Sequence, residues 1–255
     1  MQVATWNVNS IRSREGHVRR WLEAHRPELL FLQEIKCEEP GFPAMSFEAL
    51  GYRAAVVGQK AYNGVAVLGR VPFEVTHRQL PGMGSEDAQA RYIEVQAEGI
   101  AFAGIYLPNG NSGGEAGFAY KLRWMEALRA RAAELLEADT PLLIAGDFNV
   151  CPTDDDYAPG ALAPTDALVR PESRARFRSL IWLGLTDAVR ALHPEGPIYT
   201  FWDYQAGAWP RDLGLRIDHV LLSPDLAERL VEAMPDRRER GEDKASDHVP
   251  VVVEF

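Results

Sequence analysis

Cysteine is almost missing from this chain. Cys37 and Cys151 are the only two in 255 residues, too few to staple a fold and without CxxC spacing, so a disulfide scaffold and a structural zinc module are excluded. Long apolar runs are missing as well: no stretch approaches the roughly 18 residues that a bilayer-crossing helix needs. No basic-then-apolar leader precedes the first strand-like segment. These absences point to a reducing, cytoplasmic setting and away from a membrane. There is no HExxH and no GxxxxGK[ST], which argues against zinc-peptidase and nucleotide-loop chemistry. The glycine-rich stretch from Asn109 to Gly114 matches no phosphate-loop spacing.

Positive charge is in deficit. Twenty-seven basic residues face 37 acidic ones, a net of −10, the reverse of the basic balance typical of a protein that simply tracks phosphates. Lysine occurs only at positions 36, 60, 121 and 244, leaving 23 of the 27 basic residues as arginine, and a guanidinium grips phosphate bidentately. Carboxylates gathered around a divalent cation also count as negative until the cation is bound. The acidic total therefore does not exclude a nucleic acid.

With 46% hydrophobic residues, a chain of this length can bury one enzyme-sized core, and no linker, repeat or low-complexity tract divides it. One domain over residues 1–255 is expected. Val3 to Val8 reads as a strand, Ser10 as a helix cap and Arg12 to Ala24 as a helix. Leu29 to Leu32 and Leu142 to Ala145 are short continuous apolar runs, the signature of strands buried on both faces. Further strands are predicted at Gly64 to Leu68, Arg91 to Val95, Ile100 to Leu107, Tyr199 to Trp202, Arg216 to Leu222 and Val249 to Phe255. Phe118, Leu122, Met125, Leu128, Ala132 and Leu135 step by three or four, which predicts a helix from Phe118 to Leu136; a helix pair is expected between Arg174 and Leu192. Pro152 to Pro171 is the longest irregular segment.

Three apolar strands end in polar residues that packing does not explain: Asn7, Glu34, and Asp147 with Asn149. A single such residue commonly just caps a turn; the conjunction points to a site. In extended backbone, Asp147 and Asn149 project to one face. Asp247 and His248 stand before the last strand, where neighbouring side chains diverge. A histidine needs a partner to hold its tautomer, and Asp218, inside an otherwise apolar run, is the candidate, since a carboxylate buried in a strand is costly unless paired. Asn7, Glu34, Asp147, Asn149, Asp218, Asp247 and His248 offer hard oxygen ligands and one imidazole, a set suited to Mg²⁺ or Mn²⁺.

The strings Thr5-Trp6-Asn7-Val8, Leu32-Gln33-Glu34-Ile35-Lys36, Tyr106-Leu107-Pro108-Asn109, Gly146-Asp147-Phe148-Asn149, Leu215-Arg216-Ile217-Asp218 and Ser246-Asp247-His248 run in this order across nearly the whole chain. In them the sequence resembles the exonuclease III family of abasic-site endonucleases. The wider DNase I-like superfamily shares the Glu, Gly-Asp-x-Asn and Ser-Asp-His elements. The narrower resemblance rests on Gln-Glu-Ile-Lys, on Tyr106 to Asn109, and on Tyr199 to Tyr204 leading into Gly214 to Asp218.

The resemblance implies an α/β four-layer αββα sandwich, two mixed sheets face to face with helices outside, and a site at one edge of the sheets. It implies that Glu34, with Asn7 and Asp247, holds Mg²⁺, with Mn²⁺ accepted, and that Asp147, Asn149, Tyr106 and His248 surround the scissile phosphate. Phe201, Trp202, Leu215 and Ile217 match the pocket for a base-less sugar flipped from the duplex; Leu215 replaces an aromatic found in some members. Tyr62 and Asn109 would contact the backbone. The implied substrate is double-stranded DNA with abasic sites or 3′ ends, met by a monomer. Either Asp147 or His248, oriented by Asp218, could be the general base. A phosphatase or lipid phosphodiesterase of the superfamily would have no reason for the apolar pocket, and a non-catalytic regulator would be expected to have lost some of these polar residues.

Overall fold

The computed structural model describes residues 1–85 and 87–255. Its first sheet contains β1 (Gln2–Asn7), β2 (Leu29–Gln33), β3 (Arg53–Val57), β4 (Val65–Gly69), β11 (Glu232–Pro235) and β12 (Val251–Glu254), in the order β11-β12-β1-β2-β4-β3. The second contains β5 (Glu74–His77), β6 (Tyr92–Ala97), β7 (Ile100–Tyr106), β8 (Leu142–Asp147), β9 (Thr186–Asp187) and β10 (Asp218–Leu222), in the order β5-β6-β7-β8-β10-β9. β1 runs parallel to β2 and β7 parallel to β8; the other pairings are antiparallel.

Side-chain alternation builds three layers of packing from these strands. Phe31 and Val67 meet Phe102 and Leu143 between the sheets. The opposite faces of the same strands, through Leu30 and Leu32, pack on α1 (Ile11–His25) and α2 (Ala44–Glu48) with Trp21 and Phe47. Ala103 and Ile144 pack on α3 (Gly114–Glu137) and α4 (Pro171–Ile181) through Trp124, Leu128 and Phe177. Because both faces of each central strand are covered, the strands read as unbroken apolar runs. Each large side chain so buried contributes roughly 1.5–3 kcal/mol. This is the four-layer sandwich that the family resemblance implies. No helix is long and apolar enough to cross a membrane among the described residues.

Three local expectations are corrected. Ser10 stands at the N-cap position of α1, but its backbone (φ 91°, ψ 104°) turns the hydroxyl away from the first-turn amides, so it makes no capping bond. Tyr199 to Trp202 is not a strand: Phe201 makes single bridges to Leu215 and His248 and the ladder goes no further. Arg216, Ile217, Val249 and Pro250 precede their strands, which begin at Asp218 and Val251. Three edge strands lie outside the expectations: β5 and β11 mix polar residues among apolar ones, and β3, though apolar after Arg53, is buried only at Ala55 and Val56.

Candidate active site

The two parallel strand pairs end at the same edge of the sandwich, and the antiparallel β10 and the residues before β12 begin there. Asn7 closes β1, Glu34 follows β2, Tyr106 closes β7, Asp147 closes β8 and Asp218 opens β10. Register places Tyr106 beside Asp147 and Asp147 beside Asp218 in one row. Gly146 permits the close approach of β7: a Cβ there would stand 2.0 Å from the Ile105 carbonyl oxygen.

Asp147 and Asn149 both reach the site, but by a different route from that predicted. The chain leaves β8 at Phe148, Asn149 takes φ 48°, and its N–H donates to Asp147 Oδ1 at 2.9 Å. This is an aspartate-stabilised turn rather than extended alternation, and asparagine tolerates the left-handed conformation it requires. Glu34, also left-handed at φ 50°, is held by Asn7 Nδ2 (2.9 Å) and the Tyr106 hydroxyl (2.9 Å) on Oε1, and by the Lys36 ammonium (2.9 Å) on Oε2. Asn7 Nδ2 also donates to Asp147 Oδ2 at 3.0 Å. His248 Nδ1 lies 2.8 Å from Asp218 Oδ2, and its Nε2 lies 3.8 Å from Asp147 Oδ2. Thr200 completes the set, donating its hydroxyl to Asp218 Oδ2 at 2.6 Å while accepting from the N–H groups of Ile217 and Asp218.

Burial raises the Asp147 carboxyl to about 7, helped by the negative charges of Asp218 and Glu34 and opposed by His248. Burial works against the His248 imidazolium, yet Asp218, with Asp147 and Asp247, raises its pKa to about 10. For Glu34, burial favours the neutral acid, but hydrogen bonds from Asn7 and Lys36 outweigh it and lower the pKa. Burial and the charges of Glu34 and Asp147 push the Tyr106 phenol well above its ordinary value, so it remains a donor. Three carboxylates around one imidazole leave the site short of positive charge.

Glu34, Asp147 and His248 each turn a ligand atom into one space, all within 4.8 Å of one another. This hard oxygen and imidazole set fits a divalent cation such as Mg²⁺ or Mn²⁺. Asp247 stands outside that group and accepts from Asn9 Nδ2 at 3.2 Å. Asn7 presents its amide nitrogen to the carboxylates, while its oxygen accepts from the Asn9 N–H. Asn149 Oδ1 accepts from Asn109 Nδ2, and its own Nδ2 donates to the Leu107 carbonyl.

The cleft above these groups has a volume of about 650 Å³. Phe201, Leu215 and Ile217 line it with Asn109, Asp247 and His248. Trp202 does not. Its ring is wholly buried, edge-on to Tyr199 and Trp209, and its indole N–H donates to Asp212; the resemblance implies a pocket role for both neighbours, but adjacent side chains here point to opposite sides and only Phe201 reaches the cleft. Tyr62 is 71% exposed and lies off the cleft. The irregular segment 152–171 supplies a wall that no sequence motif announced, through Ala161, Leu162, Asp166 and Leu168. Thr200 and Ser246, whose hydroxyl donates to the Asn7 carbonyl at 2.7 Å, stood inside recognised strings without being singled out.

A double-sheet sandwich with carboxylates and a histidine converging at its edge defines a phosphodiester hydrolase, and comparison with known proteins agrees. Residues 4–248 match the endonuclease/exonuclease/phosphatase family. Exodeoxyribonuclease III of Haemophilus influenzae is 33% identical over the full length of both chains. A Neisseria 3′ phosphatase solved with a product DNA hairpin superposes with a TM-score of 0.95 at 36% identity, covering 100% of this chain and 99% of that one. An abasic endonuclease from Archaeoglobus fulgidus gives 0.93 at 34%, with the same coverage. The chain belongs to the endonuclease/exonuclease/phosphatase family and, within it, to the exonuclease III branch.

Proposed function

We propose that this protein is a DNA-repair phosphodiesterase that cuts double-stranded DNA on the 5′ side of abasic sites and removes nucleotides or blocking groups from 3′ ends, acting as a single cytoplasmic domain and as a monomer. The observation that carries the reading is the junction of two surfaces in one cleft: Glu34, Asp147 and His248 within 4.8 Å of one another, and the apolar wall of Phe201, Leu215 and Ile217 beside them. A sugar without a base suits such a wall, because its extrusion forfeits no base pair or stacking. The curated and solved relatives are named for the same chemistry on DNA.

Glu34 and Asp147 would hold Mg²⁺ or Mn²⁺, with Asn7, Asn149 and Asp247 around them; when bound, the ion supplies positive charge against the repulsion that protects phosphodiesters. His248, held between Asp218 and Asp147, donates Nε2–H to a phosphate oxygen, and Asn149 adds an amide N–H. Asp147 takes the proton of the attacking water. Tyr106, whose hydroxyl rests on Glu34 Oε1, donates toward the departing 3′ oxygen. Arginines, with Asn109 and the exposed Tyr62, contact the strand backbone.

The test is nicking of a duplex with one tetrahydrofuran residue, set against the intact duplex, inositol phosphates and sphingomyelin, with Mg²⁺ and with EDTA. Selective nicking that EDTA abolishes is expected. Faster phosphate release from the inositol phosphates, or faster sphingomyelin cleavage, would replace the DNA assignment with the phosphatase or lipid reading.

A further inference from the structure

Lys121 shares the buried face of α3 with Phe118, Trp124 and Met125, yet carries a charge there. Its side chain is fully buried, and no carboxylate lies within ion-pair distance of Nζ among the described residues. Instead Nζ lies 3.0 Å from the carbonyl oxygen of Asn109, 2.6 Å from that of Asn149 and 3.2 Å from that of Ala167. Three acceptors at these distances engage all three donors of an ammonium, whereas a neutral amine has only two. Burial pulls its pKa down to about 7, against the charges of Asp147 and Asp166. A methionine would fill the same space without burying a charge, so packing alone does not account for lysine here.

The three carbonyls belong to the three segments that build one side of the cleft. Asn109 follows β7, Asn149 turns out of β8, and Ala167 precedes the wall residue Leu168. Their side chains and amides continue the chain of contacts: Asn109 Nδ2 donates to Asn149 Oδ1, and Asn149 N–H donates to Asp147 Oδ1. Gly110 leaves room for the lysine stem, since a Cβ there would stand 2.7 Å from Lys121 Cδ.

We infer that Lys121 is a positioning residue that gathers these three backbone carbonyls onto one ammonium and so fixes where Asn149, Asn109 and Leu168 stand against the substrate. Its kinetic consequence rests on the DNA-cleaving role proposed above. Displacing Asn149 changes the geometry of reaction more than the affinity for a long duplex, which many other contacts hold.

The experiment is a double-mutant cycle between Lys121→Met and Asn149→Ala, read by single-turnover cleavage of the tetrahydrofuran duplex and by the side-chain amide NMR signals of Asn109 and Asn149. Lys121→Met alone should lower the turnover rate about 10- to 100-fold with KM within about threefold, and in the Asn149→Ala background it should cost less than about threefold. The amide signals should move whether or not the protein cuts DNA, which separates this inference from the substrate assignment. Lys121→Gln, which keeps two N–H donors, should fall between wild type and Lys121→Met, and it carries the cycle if Lys121→Met does not fold. Unchanged amide signals, or a loss that multiplies fully with Asn149→Ala, would leave Lys121 as packing only.

Discussion

Nδ1 of His248 lies 2.8 Å from Oδ2 of Asp218, and that same carboxylate oxygen accepts the Thr200 hydroxyl at 2.6 Å. One oxygen therefore fixes both the tautomer and the orientation of the ring, and Nε2 is left facing Asp147 and the cleft. Groups arranged in this way act as one unit. His248→Asn and Asp218→Asn should each reduce turnover about 10²-fold or more, and the double variant should lose far less than the product of the two. A fully multiplicative cycle would break the proposed pairing.

Glu34→Gln and Asp147→Asn remove charge with almost no change in size, so circular dichroism should be unchanged. Both should lower turnover by about 10²-fold or more, and Mn²⁺ binding followed by calorimetry should weaken in each. Near-native turnover in either variant would remove that residue from the chemistry. Near-native Mn²⁺ affinity in both would remove the cation from this site.

The sequence disclosed the central strands and the polar residues at their ends because burial on both faces writes an uninterrupted apolar run, and Glu34 or Asp147 interrupts it abruptly. It also disclosed the Asp218 and His248 pair, since an acid within Leu215 to Leu222 demands a partner. What it hid was backbone direction. Asn149 in the left-handed region brings it to the cleft beside Asp147 where extended geometry was expected, and opposite side-chain directions at adjacent positions separate the cleft residue Phe201 from Trp202, its buried neighbour. Lys121 was legible in part: it lies three residues after Phe118 and four before Met125, a charged residue on an apolar stripe. Its three carbonyl partners are set by loops whose course no periodicity encodes.

Acid stability should report on a second buried carboxylate, far from this chemistry. Glu94, 2% exposed, accepts from Arg131, Tyr92 and Thr76. Burial alone would raise its pKa, but Arg131, followed by Tyr92 and Thr76, lowers it to about 2. A folded value below the ordinary one near 4.5 means the stabilisation is complete above pH 4.5 and is lost as pH falls toward 2; it is worth ~3 kcal/mol at neutral pH. Glu94→Gln should thus be less stable than wild type at pH 7, and the gap in Tm should narrow below pH 4.5. A gap that stays constant down to pH 3 would show that the charge of Glu94 contributes nothing.

Adjacent aromatic residues provide the sharpest test of the substrate assignment. Phe201 lines the cleft with its ring edge-on to His248, the centroids 4.9 Å apart, whereas Trp202 is buried against Tyr199 and Trp209. If the cleft wall selects a base-less sugar, Phe201→Ala should narrow the preference for a tetrahydrofuran duplex over an intact one by about tenfold, with some loss of turnover through His248. Trp202→Phe removes the indole N–H bond to Asp212 and leaves a cavity, so it should lower stability by ~1–3 kcal/mol. Because that ring is buried and does not line the cleft, the ratio of abasic to intact cleavage should stay within about twofold of wild type. Chemical denaturation gives the first quantity and paired cleavage rates the second. A Trp202→Phe variant that lost the preference would return Trp202 to the pocket, and a Phe201→Ala variant that kept it would show that the apolar wall does not choose the substrate.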